Sequence, residues 1–63
     1  MYTLSESPAT RNEAFDALEN VIAQGTFTKD EAIEILVQVL GLDYAEAESA
    51  FRGLLASGSI EEV

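Results

Sequence analysis

Three helix-start signals recur along the sequence, and they constrain the fold more than any other feature. Each places a Thr or Asp three residues before a Glu, at 10–13, 28–31 and 43–46. At this spacing the two side chains can each bind a free backbone N–H at the start of a helix, an arrangement called a capping box. A chain of 63 residues has room for one domain. The sequence therefore predicts a single domain built around three helices.

Apolar residues at helical spacing follow each signal. In the first predicted helix they are Ala14, Phe15, Leu18, Val21 and Ile22. Gly25 is predicted to end this helix. Thr10 is its predicted cap, although Pro8 could instead be the first helical residue, where its missing N–H is not needed.

The second predicted helix is apolar over a wide arc, so we expect it to be central and to pack on more than one neighbour. Its apolar members are Ala32, Ile33, Ile35, Leu36, Val37, Val39 and Leu40, and Gly41 is predicted to end it. The third helix is predicted to run from Asp43 to Gly58. Its expected buried stripe is Tyr44, Ala47, Ala50, Phe51, Leu54 and Leu55.

Short extended segments are predicted on either side of these helices, at about 26–28 and 59–63, where apolar and polar residues alternate. Residues 1–7 are expected to be extended or frayed, and residues 8–63 to form a single three-helix domain. The predicted fold class is therefore mainly α, with three helices and minor strand content.

The sequence contains 12 acidic and 3 basic residues, and its formal net charge is -9. Such a surface repels itself at low ionic strength, whereas molar salt shortens the Debye length to about 3 Å and removes that penalty. The charge favours a protein adapted to a high-salt cytoplasm. The alternative is an acidic small protein that meets a basic partner.

The absence of Cys and His from the sequence excludes disulfides, thiol chemistry and imidazole catalysis. No combination of the remaining residues forms a catalytic set, so we expect a non-enzymatic protein with no cofactor and no metal site. The apolar runs are too short to span a membrane. Met1 to Ser7 lacks the basic and apolar regions of a signal peptide. The expected location is cytoplasmic.

From Gly25 onward the sequence runs through an extended segment, a helix, the tight turn Leu40-Gly41-Leu42, a second helix, and the step Leu54-Leu55-Ala56-Ser57-Gly58-Ser59-Ile60. With the first helix included, residues 10–63 resemble winged-helix domains. The resemblance implies a helix-turn-helix in which the third helix occupies the DNA-recognition position. The residues after Ile60 leave no room for a two-stranded wing, which departs from that pattern.

A second resemblance is to ubiquitin-associated three-helix domains. It rests on the segment Gly25-Thr26-Phe27-Thr28, on Glu31-Ala32-Ile33, and on Ala50-Phe51-Arg52-Gly53-Leu54-Leu55. It implies a binding function. The loop to be compared with the partner-binding loop of those domains is Gln24-Gly25-Thr26-Phe27. In this sequence the loop carries an insertion and the second helix is longer than in those domains.

The outer face of the third predicted helix carries Ala45, Glu46, Ser49, Arg52, Gly53 and Ala56, and its small residues form a nearly uncharged strip in an otherwise acidic sequence. We expect it to bind a protein partner or a second copy of the chain through Ala45, Ser49, Arg52, Gly53 and Ala56. The alternative is a dimeric DNA-binding protein resembling a transcription regulator. Three cations contacting phosphate would give a salt slope of only about -2.7, so DNA binding is disfavoured.

Overall fold

The structure is a computed structural model that describes residues 1–23 and 25–63. It contains three helices and one three-stranded antiparallel sheet. In chain order the elements are β1 (Tyr2–Leu4), α1 (Glu13–Val21), β2 (Thr26–Phe27), α2 (Lys29–Leu40), α3 (Tyr44–Ala56) and β3 (Ile60–Glu62). Gln24, which belongs to the loop compared with ubiquitin-associated domains, lies outside the described residues. None of the described helices is both long and apolar enough to cross a bilayer.

The first helix begins later than the sequence predicts. Asn12 is its N-cap, and the Asn12 Oδ1 atom accepts a hydrogen bond from the Phe15 N–H at 3.0 Å. Thr10 cannot serve as the cap because its backbone N–H and C=O are both bound by the Ser59 hydroxyl, each at 3.0 Å. The helix also ends earlier, at Val21, with Ile22 as its C-cap, so Gly25 lies in the following connection and does not end the helix.

The second and third helices begin as predicted, each at a complete capping box. Thr28 caps α2 with Glu31, and Asp43 caps α3 with Glu46. Gly41 ends α2 with a φ of 70°, a left-handed conformation that glycine adopts without a Cβ clash. A short turn connects α2 to α3, and α2 packs against both α1 and α3. Its predicted central position is confirmed.

The end of α3 is joined to the start of the chain through Ser59. The Ser59 N–H donates to the Leu54 carbonyl and the Gly58 N–H donates to the Leu55 carbonyl, which is the Schellman pattern of a helix end. Ser59 is completely buried, and its hydroxyl also lies 3.0 Å from the Ser57 hydroxyl. Its carbonyl accepts from the Ser5 N–H at 2.9 Å. One buried serine thus holds the segment that precedes α1 against the end of α3.

The N-terminal segment forms the central strand of the sheet. The strand order is β2-β1-β3, with Tyr2 opposite both Phe27 and Glu62. The Tyr2 ring packs edge-on against Phe51, with 5.1 Å between ring centroids, and at a tilt against Phe27 at 6.5 Å. Because alternate residues of a strand point to opposite faces, Thr3 then lies on the outer face of the sheet. The strand β1 therefore pairs on its two sides with β2 and β3, which are the two strands that the sequence predicts.

The core lies between the inner face of this sheet and the three helices. Its buried apolar residues are Ala14, Phe15, Ala17, Leu18, Phe27, Ala32, Ile33, Leu36, Ala47, Phe51, Leu54 and Ile60. Three residues of the predicted apolar stripes, Val21, Val39 and Tyr44, are instead exposed. Val21 is the last residue of α1, and α2 is apolar over a wider arc than its neighbours cover. Tyr44 is the first residue of α3, where a side chain leans back beyond the helix start and meets few neighbours.

Candidate interaction surface

The outer face of α3 brings together all five residues of the predicted partner surface. At about 100° per residue they fall on the side of the helix opposite the buried Ala47, Phe51 and Leu54. All five are exposed; we call them the α3 strip, and they are Ala45, Ser49, Arg52, Gly53 and Ala56. The strip spans the length of α3 and carries one charged side chain.

Gly53 leaves the middle of the strip without a side chain. A Cβ atom built at this position meets no heavy atom within 4 Å, so no neighbouring group of the fold requires a glycine here. Glycine in a helix costs about 0.5–1 kcal/mol relative to alanine. The residue therefore weakens α3 without serving the packing of the described residues, and it lets another surface approach the helix backbone closely.

Arg52, the charged member of the α3 strip, lies near an acidic residue on the flank of α3. The Arg52 Nη2 atom lies 3.7 Å from the Glu48 Oε2 atom, and the Lys29 Nζ atom lies 3.0 Å from the same oxygen. The hydrogen bond from Lys29, together with the charges of Lys29 and Arg52, lowers the pKa of Glu48 from its ordinary value of 4.5. Glu48 thus neutralises part of the charge that the strip would otherwise present.

The remaining basic residue, Arg11, is also paired with a carboxylate. Its Nη1 atom lies 3.2 Å from the Glu19 Oε1 atom, and its guanidinium lies 5.2 Å from the centroid of the Phe15 ring. Both groups of the ion pair are well exposed, so the contact is worth at most about 1 kcal/mol. Every Lys and Arg of the chain is therefore in contact with a carboxylate, which opposes the binding of a phosphate backbone.

Two features of this region escaped the sequence-based prediction: the ion pairs of Glu48 with Arg52 and Lys29, and the exposure of Tyr44. The Glu48–Arg52 pair has the i,i+4 spacing that brings opposite charges together on a helix, so the spacing alone could have identified it. The contact with Lys29 depends on how α2 and α3 pack, and no local pattern reveals that. The 60% exposure of Tyr44 is the second feature, because the apolar periodicity assigned this residue to the core.

The described residues show no group of three or more acidic side chains that could hold a metal ion. Each buried side-chain nitrogen or oxygen among them has a hydrogen-bond partner, as is usual for buried polar groups. No protein-family profile, curated protein sequence or solved structure matches the chain.

Proposed function

We propose that this chain is a small non-enzymatic interaction module of winged-helix-like fold, adapted to high salt, that binds a protein partner or a second copy of itself through the α3 strip. The observation that carries the proposal is the exposure of all five strip residues on one face of a helix. In a protein of net charge -9 these five residues include a single charged side chain, that of Arg52, which contacts Glu48. The exposed Glu46 borders the strip.

The order of elements supports the winged-helix-like assignment. The strand β2, the helix α2, a tight turn at Gly41, the helix α3 and the strand β3 follow one another as in the resemblance. The sheet differs from a wing that returns on itself, since β3 pairs with the N-terminal strand β1. The fold thus obtains its central strand from the beginning of the chain.

The position of the charges supports the adaptation to high salt. Acidic residues occupy the capping boxes of α2 and α3, the exposed sides of the helices and β3, while all three cations contact carboxylates. Repulsion among exposed carboxylates falls as salt shortens the screening length from about 10 Å at 0.1 M to about 3 Å at 1 M. A surface of this kind is best tolerated in a concentrated salt solution.

Sedimentation in 2 M KCl tests the homodimeric form of the proposal. The expected result is a dimer at high micromolar concentration that Gly53→Glu converts to a monomer, because the new side chain brings an uncompensated charge to the centre of the interface. Ala9→Glu is the matched control, since it adds the same side chain at an exposed position outside α3. A strict monomer that Gly53→Glu leaves unchanged would refute self-association.

The helix-turn-helix order of α2 and α3 also favours a second candidate, a dimeric DNA-binding protein. A mobility-shift titration with a duplex DNA at 50 mM and 500 mM salt tests it. Binding that weakens with salt and is reduced by Arg52→Ala would support DNA recognition by α3. No shift at 50 mM would end this hypothesis, since phosphate contacts are strongest at low salt.

A further inference from the structure

A shallow groove of about 340 Å³ lies between α2 and the start of α3, and its lining is mainly apolar. Ile33 is buried at its base, Val37 is half-buried, and the ring of Tyr44 forms an exposed wall. The remaining lining residues are Asp30, Glu34 and Gln38. The groove therefore combines an apolar base, an accessible aromatic ring and two carboxylates.

The two carboxylates of the groove stand one helical turn apart on α2. Like charges at this i,i+4 spacing repel each other, so a cation placed between them would relieve an unfavourable contact. Glu34 accepts a hydrogen bond from the Gln38 side chain at 3.2 Å. The cations of the chain pair elsewhere, with Glu19 and Glu48. The charge of the groove is thus available to a group from outside the chain.

We propose that this groove binds an arginine side chain from a basic segment of a partner protein, with an apolar neighbour in that segment. The guanidinium stacks on the Tyr44 ring and donates hydrogen bonds to the Glu34 carboxylate, while Asp30, one helical turn away, adds a second negative charge. The apolar neighbour covers the half-buried Val37. Arginine suits the groove better than lysine because its planar, weakly hydrated group combines aromatic stacking with bidentate binding of a carboxylate.

Charge complementarity selects this occupant over the others. A second copy of the chain also carries a net charge of -9, and its two arginines already contact Glu19 and Glu48. A nucleic acid would bring phosphates toward Asp30 and Glu34. The groove lies on the α2 side of α3, whereas the α3 strip faces away from the core. This proposal concerns a surface other than the α3 strip. Either of the two binding proposals can therefore be refuted while the other stands.

The test is an NMR titration of the whole chain with acetyl-Gly-Leu-Arg-Leu-Gly-amide, and with the same peptide carrying Lys in place of Arg. In 1 M NaCl the Debye length is about 3 Å, so attraction by net charge is screened and contact-dependent binding remains. The expected shift changes are confined to residues 30–38 and to Tyr44 and its neighbours. The arginine peptide is expected to bind about fivefold more tightly than the lysine peptide, which corresponds to about 1 kcal/mol.

Paired variants separate the groove from the general acidity of the surface. Tyr44→Ala is expected to abolish the preference for arginine, whereas Tyr44→Phe, which keeps the ring, retains it. Glu34→Gln is expected to weaken binding at least about threefold. Glu61→Gln removes the same charge from β3, outside the groove, and is expected to leave binding unchanged. Circular dichroism of each variant checks that the helices are intact.

Several results would overturn the proposal. One is binding at 0.1 M NaCl that disappears at 1 M, because net charge alone then accounts for it. Another is shift changes spread over the acidic surface, or equal affinity for the two peptides. Equal effects of Glu34→Gln and Glu61→Gln would also overturn it, and this comparison remains valid even where Tyr44→Ala disturbs the start of α3.

Discussion

Replacing Gly53 by alanine isolates the backbone cost of a glycine inside α3. The new Cβ meets no heavy atom within 4 Å, so the substitution neither creates a clash nor adds packing against the fold. What remains is the lower conformational entropy of alanine in the unfolded chain, which raises the free energy of unfolding by about 0.5–1 kcal/mol. For a domain of this size that gain corresponds to a rise in Tm of about 2–8 °C.

Gly41→Ala is the matched control, because it adds the same methyl group into equally open space. Gly41 has a φ of 70°, and an L-residue pays about 1–2 kcal/mol in this left-handed conformation. We therefore expect a lower free energy of unfolding for Gly41→Ala and a higher one for Gly53→Ala, both by urea denaturation in 2 M KCl at low micromolar concentration. Shifts of the same sign in the two variants would refute the reasoning. Stabilisation of the monomer by Gly53→Ala combined with weaker self-association would further support the α3 strip.

Two further predictions concern the buried serine and the acid side of the stability profile. Ser59→Ala removes the hydroxyl that binds both backbone groups of Thr10, and we expect it to lower the free energy of unfolding by about 1–3 kcal/mol. The control Ser7→Ala, at an exposed position, is expected to leave the free energy of unfolding nearly unchanged in the same urea assay. Equal effects of the two variants would contradict a structural role for Ser59. Because the pKa of Glu48 is lowered in the folded state, its contribution to stability is present above pH 4.5 and is lost as the pH falls through the lower folded-state value. The difference in unfolding free energy between the wild type and Glu48→Gln should therefore shrink below pH 4.5, and a constant difference from pH 7 to pH 3 would contradict the ion-pair geometry.

The helices that begin at capping boxes could be predicted from the sequence because their signals are local. Thr28 with Glu31, and Asp43 with Glu46, each satisfy the backbone at their own helix start. The box at Thr10 has the same spacing and fails, because a residue 49 positions away binds the Thr10 backbone. Local patterns cannot weigh that competition.

Of the two candidate surfaces, one could be predicted from local sequence patterns and the other could not. The α3 strip could be predicted from helical periodicity, since it follows from the position of Phe51 and Leu54 in the core. The groove beside Tyr44 could not, because periodicity places this residue on the buried side of α3. Its exposure depends on where α3 begins relative to α2, which is a property of tertiary packing.

The central position of β1 has a consequence for the order in which this fold can form. Residues 2–4 pair with residues 60–62, so the sheet cannot close until nearly the whole described chain is present. The three helices make mostly local contacts and can form early, whereas the Tyr2 contacts with Phe51 and Phe27 must wait for a long loop to close. We therefore expect this domain to fold more slowly than a helical bundle of equal length, with residues 2–4 among the last to reach their native positions.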